Sequence, residues 1–140
     1  MAAERTFALI KPDATARPIV GAIVAMAEDA GLRVVAARMT RPGREVMEAL
    51  YAEHAGRHYF AEQVAYMDSG PVLALVLEGE GAVASWRAVM GPTDREKAPE
   101  GTIRRRFAES FRRNSVHGSD SVAAAEREIA IFFRPEEILG

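Results

Sequence analysis

Six consecutive apolar residues, Val72 to Leu77, begin directly after Ser69-Gly70-Pro71. A run that short, bounded by such a breaker, suits a central strand buried on both faces. Thr6 to Ile10 is a second apolar run, closed by Lys11-Pro12-Asp13, where proline removes the backbone donor a strand needs to continue. A buried strand therefore ends at Lys11. Leu32 to Thr40, rich in valine and stopped by Arg41-Pro42-Gly43, reads as a third strand. Ile19, Val20, Ile23, Val24 and Ala27 recur at helical spacing before Ala30-Gly31, where glycine supplies the cap. Arg44 to His54 and Tyr59 to Met67 read as short helices separated by Gly56, and Gly81 to Met90 gathers Val83, Trp86 and Met90 on one side. Ser121 to Ile131 is an alanine-rich helix, and Phe132-Phe133 opens a C-terminal apolar segment. From Gly91 to Gly118 the pattern weakens into a Pro/Gly-punctuated stretch, and an irregular segment that long in a compact domain is usually functional or disordered. Three strands interleaved with helices in 140 residues predict a single domain over 1–140, one sheet with helices packed on it. Periodicity alone leaves α/β and α+β both open.

Composition narrows the function classes. The chain is 49% apolar and 27% charged, which is ordinary globular usage. With no cysteine there is no disulfide framework, no thiolate nucleophile and no sulfur-ligated zinc site, and a cytoplasmic address fits. Glu4 and Arg5 stand where a signal peptide needs its apolar region. The longest apolar stretch, Ile19 to Ala27, is interrupted by Gly21 and falls far short of the roughly 20 residues that span a bilayer, so no membrane is expected as a partner. A net charge of −2 argues against a general nucleic-acid binder.

The candidate chemistry lies in the irregular stretch and in Lys11. Gly79-Glu80-Gly81-Ala82-Val83-Ala84 fits the dinucleotide fingerprint letter by letter, but Glu78 and Glu80 would set negative charge against a pyrophosphate, so it reads as a tight strand-to-helix turn. No Walker loop is present, so bound phosphates must be held by side chains: Lys11, Arg87, Thr93, Arg104 and the other arginines of the loop. Between Gly101 and His117 there are five arginines and one acid, a patch that concentrates polyanions. His117 lies in Asn114-Ser115-Val116-His117-Gly118-Ser119-Asp120-Ser121, just before a helix whose first turn offers unpaired N–H groups. Neutral imidazole is a competent nucleophile toward phosphorus, and its second nitrogen needs an acceptor; Glu128, bridged by Ser119, is the candidate. His54 and His58 flank a turn without a third ligand at metal spacing and are read as structural or surface residues.

Six separated segments taken in order carry a resemblance: Lys11-Pro12-Asp13-Ala14, Tyr51-Ala52-Glu53-His54, Ser69-Gly70-Pro71, Met90-Gly91-Pro92-Thr93, Gly101-Thr102-Ile103-Arg104 and Asn114 to Ser121. The chain closely resembles the nucleoside diphosphate kinases from about Glu4 to Phe133. The resemblance implies an α+β fold, a ferredoxin-like βαββαβ antiparallel sheet sandwich with helices on its faces. It also implies a ping-pong enzyme that moves the γ-phosphoryl group of ATP to nucleoside diphosphates. His117 would carry the phosphate, oriented by Glu128 and Ser119, with Lys11 at the transferring phosphate and ribose and Tyr51 supporting the histidine. Arg87, Thr93 and Arg104 match phosphate-holding positions, Asn114 the sugar-binding one and Tyr59 the base-stacking one. Mg²⁺ would sit mainly on the phosphates, with Asp120 contacting it through water. Family members assemble as homo-oligomers, tetramers or hexamers.

Two departures from the family pattern stand out. Tyr59 replaces a phenylalanine, keeping the aromatic face while adding a hydroxyl. Arg105 and Arg106 follow Arg104 where a small residue and an aspartate are usual, and they are expected to raise nucleotide affinity at low salt. A ferredoxin-like nucleic-acid module would explain the arginine patch but not His117, Glu128 or Lys11, and the chain lacks an RNP-type aromatic run, so nucleic acid is not expected as the main partner.

Overall fold

The computed structural model describes residues 3–140. Its helices and strands run β1 (Glu4–Ile10), α1 (Pro12–Thr15), α2 (Val20–Asp29), β2 (Arg33–Thr40), α3 (Arg44–Leu50), α4 (Phe60–Met67), β3 (Val72–Gly79), α5 (Ala82–Met90), α6 (Ile103–Phe107), β4 (Val116–Gly118) and α7 (Val122–Phe132), with short 3₁₀ turns between some of them. One sheet has the order β2-β3-β1-β4, and each neighbouring pair is antiparallel. This is the strand order of a ferredoxin-like α+β sandwich, with α3 and α4 inserted between β2 and β3.

Strand alternation divides the core in two. Phe7 and Leu9 of β1 and Val72, Ala74 and Val76 of β3 face a cluster with Met47, Leu50, Val64, Met67 and Phe132, contributed by α3, α4 and α7. Ala8, Ile10, Leu75 and Leu77 face the opposite cluster with Ile23, Ala27, Trp86 and Met90 from α2 and α5. The unbroken apolar run of β3 follows from this arrangement, because both of its faces are covered. At its end, Gly81 takes a left-handed conformation as the N-cap of α5, so Gly79-Glu80-Gly81 is a tight strand-to-helix turn.

Two segments differ from the sequence expectation. The stretch from Gly91 to Gly118 is not irregular throughout: it holds the 3₁₀ turn Arg95–Lys97, then α6, then the fourth strand. Strand β4 pairs with β1 through Ala8↔Gly118, Leu9↔His117 and Ile10↔Val116, too few residues for alternation to register in a sequence. The helix expected over Arg44 to His54 ends at Leu50, and Ala52–His54 tightens into a 3₁₀ turn.

Candidate functional site

The β1–β4 pairing creates the site. Lys11 follows the last residue of β1, and its backbone N–H donates to the Ser115 carbonyl at 2.8 Å, so Lys11 and His117 lie at the same end of two adjacent strands, central β1 and edge β4. Gly118 succeeds the histidine for a packing reason. A Cβ there would lie 2.5 Å from Cδ1 of Trp86, whose indole Nε1–H donates to the His117 carbonyl at 3.1 Å. Strand β4 therefore lies hard against α5, and the His117 side chain is directed to the other face, where its ring meets Tyr51 edge-on at 5.7 Å.

His117 Nε2 and Glu128 Oε1 are 2.8 Å apart, and the Ser119 hydroxyl donates to the same oxygen at 2.9 Å. Glu128 is buried and acceptor-only when ionised, so it fixes the tautomer with the proton on Nε2 and leaves the Nδ1 lone pair free. Burial lowers the His117 pKa, Glu128 opposes this, and Lys11 and Arg104 add to the depression. The imidazole is accordingly neutral at pH 7, the form a nucleophile requires.

Lys11 is buried, with Nζ donating to Asn114 Oδ1 at 2.8 Å. Burial first, and then the neighbouring Arg104, bring its pKa down to about 7. The Arg104 guanidinium donates to the Gly91 and Val116 carbonyls at 3.0 and 2.8 Å. Its pKa falls to about 10 through burial and the nearby Arg87. Cations that depress one another in this way form a site short of negative charge. The Tyr51 hydroxyl is buried without a hydrogen-bond partner, and burial together with Glu128 pushes its pKa above the usual phenol range.

A cavity of about 650 Å³ joins these groups. Lys11, Tyr51, His117 and Glu128 line it, as do Arg87, Thr93, Arg104 and Asn114, and Tyr59 and Asp120 complete the expected set. Ser119 is buried behind the wall, touching Glu128. Two expectations change. Arg105 and Arg106 lie outside the lining: Arg105 faces Glu100 at 3.6 Å and Arg106 lies over the Phe107 ring at 4.7 Å, while Arg112 and Arg113 face the cavity instead. The N-terminus of α7 does not hold an anion there either, because Ser121 caps it by accepting from the Ala124 N–H at 3.0 Å and residues 121–124 are outside the lining.

Sequence reasoning missed the support beneath the site. Asp13 is buried and accepts from the Ser115 hydroxyl at 2.9 Å, from the Tyr66 hydroxyl and from Arg17. Ser115 has φ 74°, the one left-handed residue other than glycine among the described residues, and its bond to Asp13 helps to hold the turn that delivers β4. Lys11-Pro12-Asp13 carried the signal, but proline drew attention to the end of the strand rather than to the acid beside it.

An antiparallel α+β sandwich with a neutral, carboxylate-oriented histidine in a cationic cleft defines a phosphotransferase that handles phosphorylated ligands. Residues 4–138 match the family model described as nucleoside diphosphate kinase, and the chain belongs to that family. A nucleoside diphosphate kinase of Rhizorhabdus wittichii is 56% identical over 140 residues, all of both chains, and one of Rhodopseudomonas palustris is 55% identical over the same span. Among solved structures, the Aquifex aeolicus nucleoside diphosphate kinase aligns with TM-score 0.95 and 38% identity, covering 99% of this chain and 100% of that one. The Halobacterium salinarum nucleoside diphosphate kinase in complex with CDP aligns with TM-score 0.95 and 40% identity, covering 99% and 92%.

Proposed function

We propose that His117 Nδ1 is the atom that carries the phosphoryl group in the nucleoside diphosphate kinase reaction of this chain. The observation that carries this reading is the hydrogen bond between Nε2 and Glu128, which leaves Nδ1 as the free nucleophilic nitrogen inside the cationic cavity. In the first half-reaction an Nδ1–P bond forms as the bond from γ-phosphorus to the β–γ bridging oxygen breaks, and the leaving diphosphate keeps the electron pair. The imidazole retains its Nε2 proton and becomes cationic, and the Glu128 carboxylate stabilises that charge. In the second half-reaction a terminal oxygen of a different nucleoside diphosphate attacks phosphorus and Nδ1 departs, restoring the neutral ring.

The remaining residues position charge. Lys11, Arg87 and Arg104 surround the phosphates, Thr93 supplies a hydroxyl to them, Asn114 with Lys11 meets the sugar, and Tyr59 offers an aromatic face to the base. Glu53, Glu62, Asp120 and Glu128 line the cavity, but no cluster of three or more His, Asp or Glu side chains that could hold a metal occurs among the described residues, so Asp120 would act as a lone ligand. One carboxylate suits Mg²⁺ held by substrate phosphates and water, which would neutralise charge on the transferring group.

The family span of residues 4–138 supports treating 1–140 as one domain. Homo-oligomeric assembly is part of the same reading; β2 is an edge strand with Met39 exposed, which suits a surface for another copy. No helix of the described residues is long and apolar enough to cross a membrane, and the cysteine-free composition suits the cytoplasm. The test is intact mass after incubation with Mg-ATP. Wild type should gain about 80 Da of acid-labile phosphate that GDP removes, and His117→Gln should gain none. Uptake by His117→Gln, or none by wild type, would refute the assignment.

A further inference from the structure

Residues 108–115 connect α6 to β4 and form one wall of the cavity, where Phe111, Arg112, Arg113 and Asn114 belong to the lining. The loop is tied within itself: the Glu109 N–H donates to the Arg113 carbonyl at 2.9 Å, and the Asn114 side-chain amide to the Phe111 carbonyl at 2.9 Å. It therefore holds its shape as a compact unit, and its position depends on what fixes its two ends. Arg17 touches both. The i, i+4 spacing across the end of α1 sets Arg17 beside Asp13, and its Nε donates to the Asp13 carbonyl at 3.0 Å. One terminal nitrogen donates to the carbonyl of Phe107, the last residue of α6, at 2.9 Å. The same nitrogen lies 3.4 Å from the hydroxyl of Ser115, the last residue before β4, and 3.4 Å from the Asp13 carboxylate. Arg17 does not line the first cavity: it lies behind the loop, on a second cavity of about 370 Å³ that shares Tyr66 and Arg113 with the first. Around that second cavity the loop is held by a closed circuit. Arg17 faces Glu109 at 3.9 Å, Glu109 faces Arg113 at 3.7 Å, Arg113 lies over the Tyr66 ring at 5.4 Å, and the Tyr66 hydroxyl donates to Asp13.

We propose that Arg17 is a positioning residue for nucleotide binding: by bonding Phe107 and Ser115 at once it clamps both ends of the 108–115 loop and fixes the cavity wall before a ligand arrives. The proposal rests on the nucleotide-binding role of the cavity described above. A planar guanidinium meets several acceptors in one fixed fork, which an ammonium point charge cannot do. Asn114, the neighbour of Ser115, carries the effect inward, because its Oδ1 accepts from Lys11 Nζ at 2.8 Å. With the ends released, each nucleotide would have to order the wall as it binds, and that cost falls on every base alike. The chemical step has separate supports. His117 and Glu128 bond each other across β4 and α7, and Arg104 is held by the Gly91 and Val116 carbonyls, so none of these contacts involves Arg17. Releasing the loop thus weakens ground state and transition state together, which appears in KM rather than in kcat.

The experiment compares full-length wild type, Arg17→Gln and Arg17→Lys in transfer from ATP to GDP, CDP and UDP. In both variants KM should rise about tenfold for all three acceptors, the effect of losing one hydrogen bond to a charged donor. Their kcat should stay within about threefold of wild type. Arg17→Lys keeps a charge beside Asp13, so a wild-type KM in that variant would overturn the clamp in favour of simple ion pairing. Loss of global stability would instead lower the active fraction, and kcat falling with KM unchanged would overturn the positioning role. Limited trypsin digestion reads the loop independently of activity: cleavage after the exposed Arg112 and Arg113 should quicken about tenfold in Arg17→Gln. Unaltered KM and unaltered cleavage in both variants would overturn the proposal and leave the kinase reading standing. Absence of transfer by wild type, with cleavage still hastened in Arg17→Gln, would overturn the kinase reading and keep only the clamp on the loop.

Discussion

Replacing Glu128 with glutamine isolates the electrostatic part of catalysis. Glutamine has nearly the same shape, and its amide oxygen can still accept from His117 and Ser119, which now lie 2.8 and 2.9 Å from the same carboxylate oxygen. What disappears is a full negative charge in a buried position. In the resting enzyme the partner is a neutral imidazole, and as the Nδ1–P bond forms it becomes an imidazolium. Glu128 therefore interacts more strongly with the transition state than with the ground state, which places the loss in the chemical step. A hydrogen bond to a charged group contributes about 1.5–3 kcal/mol and the neutral bond that replaces it about 1, so losing the difference, about 1–2 kcal/mol, should slow phosphohistidine formation about five- to 30-fold in Glu128→Gln. Ser119→Ala removes one supporting bond and should slow it about fivefold, equivalent to roughly 1 kcal/mol.

Rapid-quench measurement of phosphoenzyme formation from saturating Mg-ATP reads this step directly. Nucleotide affinity should be nearly unchanged, because Glu128 bonds the histidine and Ser119 rather than the phosphate-holding cations. A slowing below about threefold, or an effect confined to KM, would show that the carboxylate is not acting on charge that develops at His117.

Other outcomes follow from the same geometry. Burial depresses His117, so the acid limb of phosphoenzyme formation should lie below the 6.5 of free imidazole. The sign follows from linkage: the unfolded chain binds this proton more readily, so the His117 contribution to stability is full above pH 6.5 and is lost as pH falls through the lower folded value. Lys11, at about 7 without substrate, should take up a proton when phosphates bind near pH 8, visible as buffer-dependent binding enthalpy in calorimetry. Gly118→Ala forces a methyl group onto Trp86 and should lower stability by about 1–3 kcal/mol in urea unfolding monitored by indole fluorescence. Arg106→Asp should leave the salt dependence of nucleotide binding almost unchanged, because Arg106 lies outside the cavity lining; a change as large as that from Arg87→Ala would restore the affinity role expected from the sequence.

The parts of this fold that were legible share a physical reason. Val72 to Leu77 and Thr6 to Ile10 are central strands covered on both faces, and that condition writes itself as unbroken apolar runs. Strand β4 was not legible, because three residues paired along one edge leave no periodic trace. The site divides the same way. The residues proposed as nucleophile, orienting acid and phosphate cations were picked out from residue type and position, and of all the expected site residues only Ser119 lies outside one cavity lining. Asp13, Tyr66 and Ser115 were not readable, because their hydrogen bonds join parts of the chain 53 and 102 residues apart. The arginine run misled for a related reason. In α6, Arg104 is buried while Arg105 and Arg106 are partly or fully exposed, so adjacency in sequence placed one of three arginines at the site.

The buried cations also explain why the cleft belongs at the end of β1 and β4 rather than on a mobile loop. Burying Lys11 and Arg104, and then setting Arg104 beside Lys11 and Arg87, costs free energy, as the depressed values of Lys11 and Arg104 record. That cost is bearable where rigid elements fix the buried groups: Arg104 through carbonyls of β4 and the Gly91 turn, Lys11 through Asn114 and its backbone bond to the Ser115 carbonyl. A flexible loop would relax, letting the cations separate and hydrate, and each substrate would then have to gather them again. Fixed in place, they need little reorganisation when phosphate charge arrives or shifts between donor oxygen and histidine nitrogen. The unfavourable electrostatics of the clustered cations and the favourable electrostatics of transfer thus have one source, the rigidity of the paired strands β1 and β4.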